Sequence, residues 1–199
     1  MIITVTSFKG GVGKTTTAVH LAAYLQTLAP TLLLDGDKTR NATAWSQRGE
    51  GFPFRVAFVD QAAKLARDYQ HIVIDVGQRP DEADLKAAAE GCDLLVIPSV
   101  PSALDTDGLG QTLRALQHIG GPKNWRVLLN KVTKDAAKEV AELRELLAGM
   151  GVSIFATEIP RLKAFEKAAA SGEIVSQTND RNSDRAWDAY IAAGKELNA

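Results

Sequence analysis

Ten residues near the start of the chain, Phe8-Lys9-Gly10-Gly11-Val12-Gly13-Lys14-Thr15-Thr16-Thr17, restrict its fold more than any other segment. They follow Ile2-Ile3-Thr4-Val5-Thr6, a β-branched run that reads as a buried strand. They precede Ala18-Val19-His20-Leu21-Ala22-Ala23-Tyr24-Leu25, whose apolar residues have helical spacing. A glycine-rich turn between strand and helix lets the backbone curl until several N–H groups face one point, where a phosphate fits. The helix N-terminus adds the positive end of its dipole, and Lys14 adds a full charge suited to β- and γ-phosphates. The cradle is read as Gly10, Gly11, Val12, Gly13, Lys14, Thr15 and Thr16, with the Thr15 hydroxyl placed to ligate magnesium. A plain surface turn with a solvated Lys9 would require neither the strand before it nor the helix after it.

The rest of the chain alternates in the same way. Strands are expected at 31–35, 71–75, 93–98, 126–130 and 152–155, with a minor one at 55–59. The stretch 36–45 reads as a turn leading into a short helix, and helices are expected near 62–69, 81–90, 104–119, 136–150, 163–170 and 183–197, with a stop at Gly120-Gly121-Pro122. The strands are continuous apolar runs, which indicates an α/β fold: a mostly parallel twisted sheet with helices on both faces. No repeat, low-complexity tract or linker divides the sequence, so residues 1–199 read as one domain. Ligands of such sheets sit at the carboxyl ends of strands. Four chemically suggestive segments fall there: the phosphate loop, Asp35 to Asp37, Asp75 and Asn130.

Charge and cysteine content narrow the function. A formal net charge of −1 provides no global field for nucleic acid, so any DNA contact must come from a local patch. A single cysteine, Cys92, excludes an internal disulfide and a Cys-x-x-Cys metal cluster, and it reads as a small buried hydrophobe. The chain enters its first strand at once and has no apolar run near the roughly 20 residues that span a bilayer. A cytoplasmic location is expected.

Two departures from the standard G-x-x-x-x-G-K-[ST] pattern are informative: Phe8 stands where its first glycine should be, and Lys9 opens the loop. Lys-Gly-Gly-Val-Gly-Lys-Thr-Thr resembles the deviant Walker A motif of the ParA/MinD family of P-loop ATPases. In that family the first lysine reaches across a dimer interface to the partner's nucleotide. The resemblance implies ATP/ADP and Mg2+ as cofactors and Lys9, Lys14 and Asp37 as the catalytic set. Asp75 has the position of a Walker B aspartate, making Thr15, Asp37 and Asp75 the metal set. A helix N-cap is the competing reading of Asp75, but the apolar strand leading into it favours the metal. Asp35 and Asp37 resemble the family's Asp-x-Asp segment, whose second aspartate orients the attacking water. Here Lys38-Thr39-Arg40 replaces the usual Pro-Gln, and Val76-Gly77-Gln78-Arg79-Pro80 follows Asp75 in place of Thr-Pro-Pro. Both departures bear on hydrolysis rate and γ-phosphate sensing.

Asn130, in Leu128-Leu129-Asn130-Lys131, matches a family position that contacts adenine, and Ile159-Pro160-Arg161 matches a stretch whose backbone, with Pro160, lies along the base. A turn asparagine and a loop proline are the alternatives. Trp45 reads as core. Arg161, Lys163 and Lys167 read either as part of a DNA-binding face or, with Glu158, Glu166 and Glu173 among them, as a solvated mixed-charge face. Ala186, Trp187, Tyr190, Ile191 and Leu197 form an apolar stripe, while Asp184, Asp188 and Glu196 offset the nearby bases. That pattern fits a helix packed on its own domain better than a basic membrane helix.

Among family members the chain is most similar to short ParA proteins of plasmid partition that lack an N-terminal helix-turn-helix. This implies a homodimer in the ATP state and binding to non-specific DNA. It also implies a ParB-like or other adaptor protein that stimulates hydrolysis, no membrane, and a nucleoid-associated place in the cytoplasm. The cargo would be plasmid DNA or another body. A MinD-like membrane-associated ATPase and a small-molecule P-loop enzyme are the alternatives.

Overall fold

A computed structural model describes residues 1–77, 82–118 and 124–198. The expectations for Gln78-Arg79-Pro80 and for the stop at Gly120-Gly121-Pro122 lie outside the described residues. The strands are β1 (Ile2–Val5), β2 (Thr31–Gly36), β3 (Arg55–Phe58), β4 (His71–Val76), β5 (Leu94–Ser99), β6 (Trp125–Val132) and β7 (Ile154–Pro160). The helices are α1 (Lys14–Gln26), α2 (Asn41–Ser46), α3 (Ala62–Leu65), α4 (Glu82–Glu90), α5 (Ala103–His118), α6 (Ala137–Gly149), α7 (Lys163–Ser171) and α8 (Ser183–Lys195).

The strands form one seven-stranded sheet in the order β3-β2-β4-β1-β5-β6-β7, with every pairing parallel. Parallel neighbours need long crossovers, and the helices that supply them cover both faces. Ile3, Val5, Leu33, Val73, Val96 and Leu128 meet α1, α7 and α8 on one face. Leu95, Ile97, Val127 and Leu129 meet α4, α5 and α6 on the other, where Leu32, Leu34 and Ile72 are covered by α3. α1 buries residues on every side, from Thr17 to Ala23 without a break. A helix sandwiched in this way needs no polar stripe, and its sequence has almost none. It thereby holds the phosphate loop rigidly at the centre of the sheet.

Three elements differ from the sequence reading. The helix expected over 62–69 breaks after Leu65 into the 3-10 turn Ala66–Asp68, because Leu65 is its one anchored apolar side chain. The last strand runs to Pro160 rather than stopping at Phe155, so Ile159 and Pro160 belong to a strand and not a loop. Its Ala156-Thr157-Glu158 segment is polar because β7 is an edge strand, whose outer side needs no apolar cover. The Glu196 carboxylate accepts from the exposed-edge amides of Ala156 (2.7 Å) and Thr157 (2.8 Å). β6 runs on to Val132 rather than ending at residue 130, so Asn130 lies inside the strand, beside a register shift between Leu129 and Val132.

The apolar stripe of the last helix packs inward as expected. Ala186, Tyr190 and Ala193 are buried against α1 and the 3-10 turn Val175–Gln177, and Trp187 is half-buried. Trp45 is core, its indole N–H donating to the carbonyls of Ala168 (3.1 Å) and Glu173 (3.0 Å). Cys92 is only half-buried, with its thiol directed at the Ala89 carbonyl (3.7 Å). Among the described residues, no helix is long and apolar enough to cross a membrane.

Candidate nucleotide-binding site

The glycine-rich turn leaves β1 and closes on the first turn of α1, as the sequence requires. Gly11 (φ 79°) and Gly13 (φ 93°) are both left-handed, a conformation that disfavours any side chain. At Gly13 a Cβ would also collide with the side-chain amide of Asn130. The Gly13 carbonyl begins the helix ladder by accepting from Thr17 N–H (2.8 Å). α5 supports the other end of the loop: Phe8 N–H donates to Thr112 Oγ1 (3.3 Å), and the Lys9 stem lies across Gly108, where a Cβ would come within 2.9 Å of Lys9 Cβ. Lys14 is buried, with Nζ donating to the Lys9 carbonyl at 3.3 Å. Burial lowers its pKa, while Asp75 and then Asp37 act to raise it. Among the described residues Lys14 makes no ion pair in contact distance, so the cation is held by a carbonyl and by carboxylates farther off.

The acidic side of the site lies on β2 and β4, which place Asp35 and Asp75 at the same register position on neighbouring strands. Asp75 is 1% exposed, and neither carboxylate oxygen has a hydrogen-bond partner among the described residues. Burial pushes its pKa up to about 7; the nearby Thr15 hydroxyl and Lys14 oppose this, and Asp35 and Asp37 reinforce it. A buried carboxylate without a donor is costly unless a cation completes it. Among the described residues no three carboxylates, imidazoles or thiols gather closely enough to hold a metal alone. Magnesium typically takes one or two protein ligands and completes its shell with phosphate oxygens and water, and the unpartnered Asp75 carboxylate is of the chemistry it takes.

Asp35 is already committed: its Oδ2 accepts from Thr43 N–H and Oγ1, both at 2.8 Å, and its Oδ1 from Asp37 N–H (3.2 Å). It therefore anchors the start of α2 and fixes the turn that carries Asp37. Asp37 is nearly buried, and its Oδ1 accepts from Thr39 N–H at 2.9 Å. Its backbone lies against Gly77, where a Cβ would sit 3.4 Å from Asp37 Cα. Asp37 also borders a cavity of about 570 Å³ beneath α4, lined by Thr4, Ile74, Val76, Ala87 and Gly91 among others.

On the opposite side of the loop, Asn130 does not stand open for a base. Its Nδ2 donates to the Val12 carbonyl (2.9 Å) and the Thr17 hydroxyl (3.3 Å), and its Oδ1 accepts from Lys131 N–H (3.0 Å). Pro160 pairs with Val132 across β6 and β7, and Arg161 N–H donates to the Val132 carbonyl (2.9 Å), so this stretch sits beside the loop. Farther out, Glu158 pairs with Arg144 (3.0 Å) and Lys167 with Asp180 (2.5 Å), while Arg161 and Lys163 are exposed.

Sequence reasoning passed over Lys131. This residue is left-handed (φ 54°) within the irregular part of β6, a conformation that costs a non-glycine residue about 1 kcal/mol. Its ammonium donates to the Gly11 carbonyl at 2.6 Å. No composition or periodicity signal marks it; only the register shift brings it to the loop.

Residues 3–175 match the family model described as the CobQ/CobB/MinD/ParA nucleotide binding domain. The chain is 33% identical, over 98% of its length and 93% of the relative's, to "Maintenance of carboxysome distribution protein A" of Gloeobacter kilaueensis. It is 30% identical, over 85% of its length and 84% of the relative's, to the chromosome-partitioning ATPase Soj of Thermus thermophilus. The MinD cell division protein of Aquifex aeolicus has the same fold, with a TM-score of 0.77 at 19% identity over 98% of this chain and 95% of that one. The glycine loop with its two lysines, the aspartate-ended strands and these similarities place the chain in the ParA/MinD family of P-loop ATPases, a family of positioning ATPases that bind ATP with magnesium.

Proposed function

We propose that this protein is a dimerising ATPase that holds non-specific DNA in its ATP state and positions a cargo, with hydrolysis triggered by an adaptor protein. The observation that carries this reading is the division between two loop lysines. Lys14 is buried in the site under the influence of Asp75 and Asp37, while Lys9 lies across α5 at Gly108, outside the turn that Lys14 completes. A second lysine placed there suits the nucleotide of a facing subunit, where phosphates of two molecules would otherwise repel.

The residues divide the work as follows. Gly10 to Thr16 offer backbone N–H groups to the phosphates, and Lys14 neutralises them. Thr15 and Asp75 hold magnesium, which draws charge from the phosphate oxygens when bound. Asp37, fixed by Thr39 N–H and by Asp35 behind it, directs a water at the site's edge. Asn130 keeps the loop in shape from the side where Pro160 lies and where the base would approach. Similarity to the carboxysome-distribution protein and to Soj supports a positioning role and leaves two types of cargo, a protein body and DNA. The buried stripe of α8 disfavours the membrane-bound variant of this role.

The test is solution mass with no nucleotide, with ADP and with ATP, using Asp37→Ala to slow turnover, followed by passage over duplex DNA. A dimer retained on DNA only with ATP is expected. Lys9→Ala should bind ATP nearly as well as the parent yet remain monomeric, while Lys14→Ala should lose binding. A monomer in every state, or equal loss of binding in both variants, would refute the reading.

A further inference from the structure

Two adjacent residues of β6 grip two consecutive carbonyls of the phosphate loop. Lys131 Nζ donates to the Gly11 carbonyl at 2.6 Å, and Asn130 Nδ2 to the Val12 carbonyl at 2.9 Å. A trans peptide is planar, with its C=O and N–H pointing in opposite directions, and no peptide bond among the described residues is cis. Holding the carbonyl of residue 11 outward therefore aims the N–H of Val12 the other way, and holding that of residue 12 does the same for Gly13. Those are N–H groups that the loop must present to an anion. The Gly11–Val12 peptide follows two successive glycines, so without an external tether it can rotate more readily than a peptide flanked by side chains.

The register shift between Leu129 and Val132 makes the grip possible. A strand in regular register would send neighbouring side chains to opposite faces. The left-handed turn at Lys131 instead brings its side chain to the same loop as that of Asn130, and the Asn130 Oδ1 bond to Lys131 N–H (3.0 Å) stabilises the turn. Glycine or asparagine would occupy this backbone with less strain. The lysine is exposed, so its bond to Gly11 competes with water and is not explained by burial.

We propose that Lys131 is a positioning residue of the nucleotide site: its ammonium orders the Gly11–Val12 peptide so that the loop meets phosphate with its N–H groups already aimed. This rests on ATP binding at this loop. Three variants of the protein test it, read by calorimetric titration with ADP and by the melting temperature of the nucleotide-free protein. Lys131→Met keeps the stem and loses the donor; Lys131→Gly also relieves the backbone; Lys131→Arg keeps a donor. Nucleotide affinity should fall about tenfold in the first two and stay within about threefold of the parent in the third. The nucleotide-free melting temperature should hold in Lys131→Met and hold or rise in Lys131→Gly. Amide exchange at Val12 and Gly13 in the nucleotide-free protein should quicken in both.

Unchanged affinity in Lys131→Met and Lys131→Gly, with Lys14→Ala abolishing binding, would overturn the proposal while leaving the site intact. Affinity lost in Lys131→Met but restored in Lys131→Gly would also overturn it, since the bulge backbone and not the ammonium would then matter. Normal binding in Lys14→Ala would remove the loop itself from the nucleotide site, and the proposal with it.

Discussion

His20 shows how a titratable side chain can be built into a core without functional intent. It is fully buried, stacked on Tyr190 with ring centroids 4.8 Å apart and edge-on to Trp45 and Phe165. Its Nε2 accepts from Val175 N–H (3.0 Å), so its Nδ1 carries the proton and donates to the Thr16 carbonyl (2.7 Å). Burial pushes its pKa down to about 4, although the Thr16 bond acts to raise it. The unfolded chain takes up a proton below the usual value near 6.5, while the folded chain does so only near 4. Stability from His20 is thus fully present above pH 6.5 and is lost as pH falls towards 4, by about 3 kcal/mol at 1.36 kcal/mol per pKa unit. His20→Phe should be less stable than the parent by about 2 kcal/mol at pH 7, for the two broken bonds. That gap should close between pH 6.5 and 4 in urea titrations; a gap independent of pH would show that His20 titrates normally in the fold. The placement of residues was legible in the sequence wherever a motif fixed it, as at Lys14 and Asp75, which lie buried close to one another. It was not legible at Asn130, whose amide is spent on the loop, or at Lys131, because both depend on a strand irregularity encoded by no local pattern.

At the scale of elements, α8 is tied to α1 through a position where only glycine fits. A Cβ on Gly194 would collide with the Tyr24 ring, and next to this contact the Tyr190 hydroxyl meets the Thr17 hydroxyl at 3.3 Å. Thr17 is in turn held by Asn130 (3.3 Å), which links the last helix to the phosphate loop by three side chains. Gly194→Ala has two opposed effects: alanine favours a helix by about 1 kcal/mol, and overpacking costs 1–3 kcal/mol. Because the obstacle is a ring wedged between two helices, overpacking should win. The expected result is a lower urea midpoint, together with weaker nucleotide binding through Tyr190 and Thr17. A higher midpoint would mean that α8 lies less closely on α1. The periodic helices were readable because their apolar spacing survives in sequence. The end of β7 was not, since an edge strand needs only one apolar face and its polar residues mimic a loop.

At the scale of the whole molecule, a net charge of −1 means that the proposed DNA binding would have to come from local patches. All three cations of that stretch are exposed, but Lys167 is already paired with Asp180, which leaves Arg161 and Lys163 as the candidates for a DNA contact. A two-fold dimer would present each of them twice. Retention on duplex DNA in the ATP state should then weaken steeply with salt, with log affinity falling by about 0.9 per phosphate neutralised for each unit of log salt concentration. A flat salt profile would rule out this mode of binding. Arg161→Ala with Lys163→Ala should reduce the slope without altering ATP affinity.

The parallel sheet gathers the phosphate loop, Asp37, Asp75 and Asn130 at one edge from positions up to 120 residues apart. No fragment of the chain owns this site, and a strand slipped by a single residue would turn Asp75 or Asn130 to the opposite face. Nucleotide therefore acts as a proofreader of the fold. A chain with the correct register gains about 2.7 kcal/mol from ligand at a hundred times its dissociation constant, and a misregistered one gains nothing. The molecule that serves as fuel would also select which copies of the protein remain folded long enough to use it.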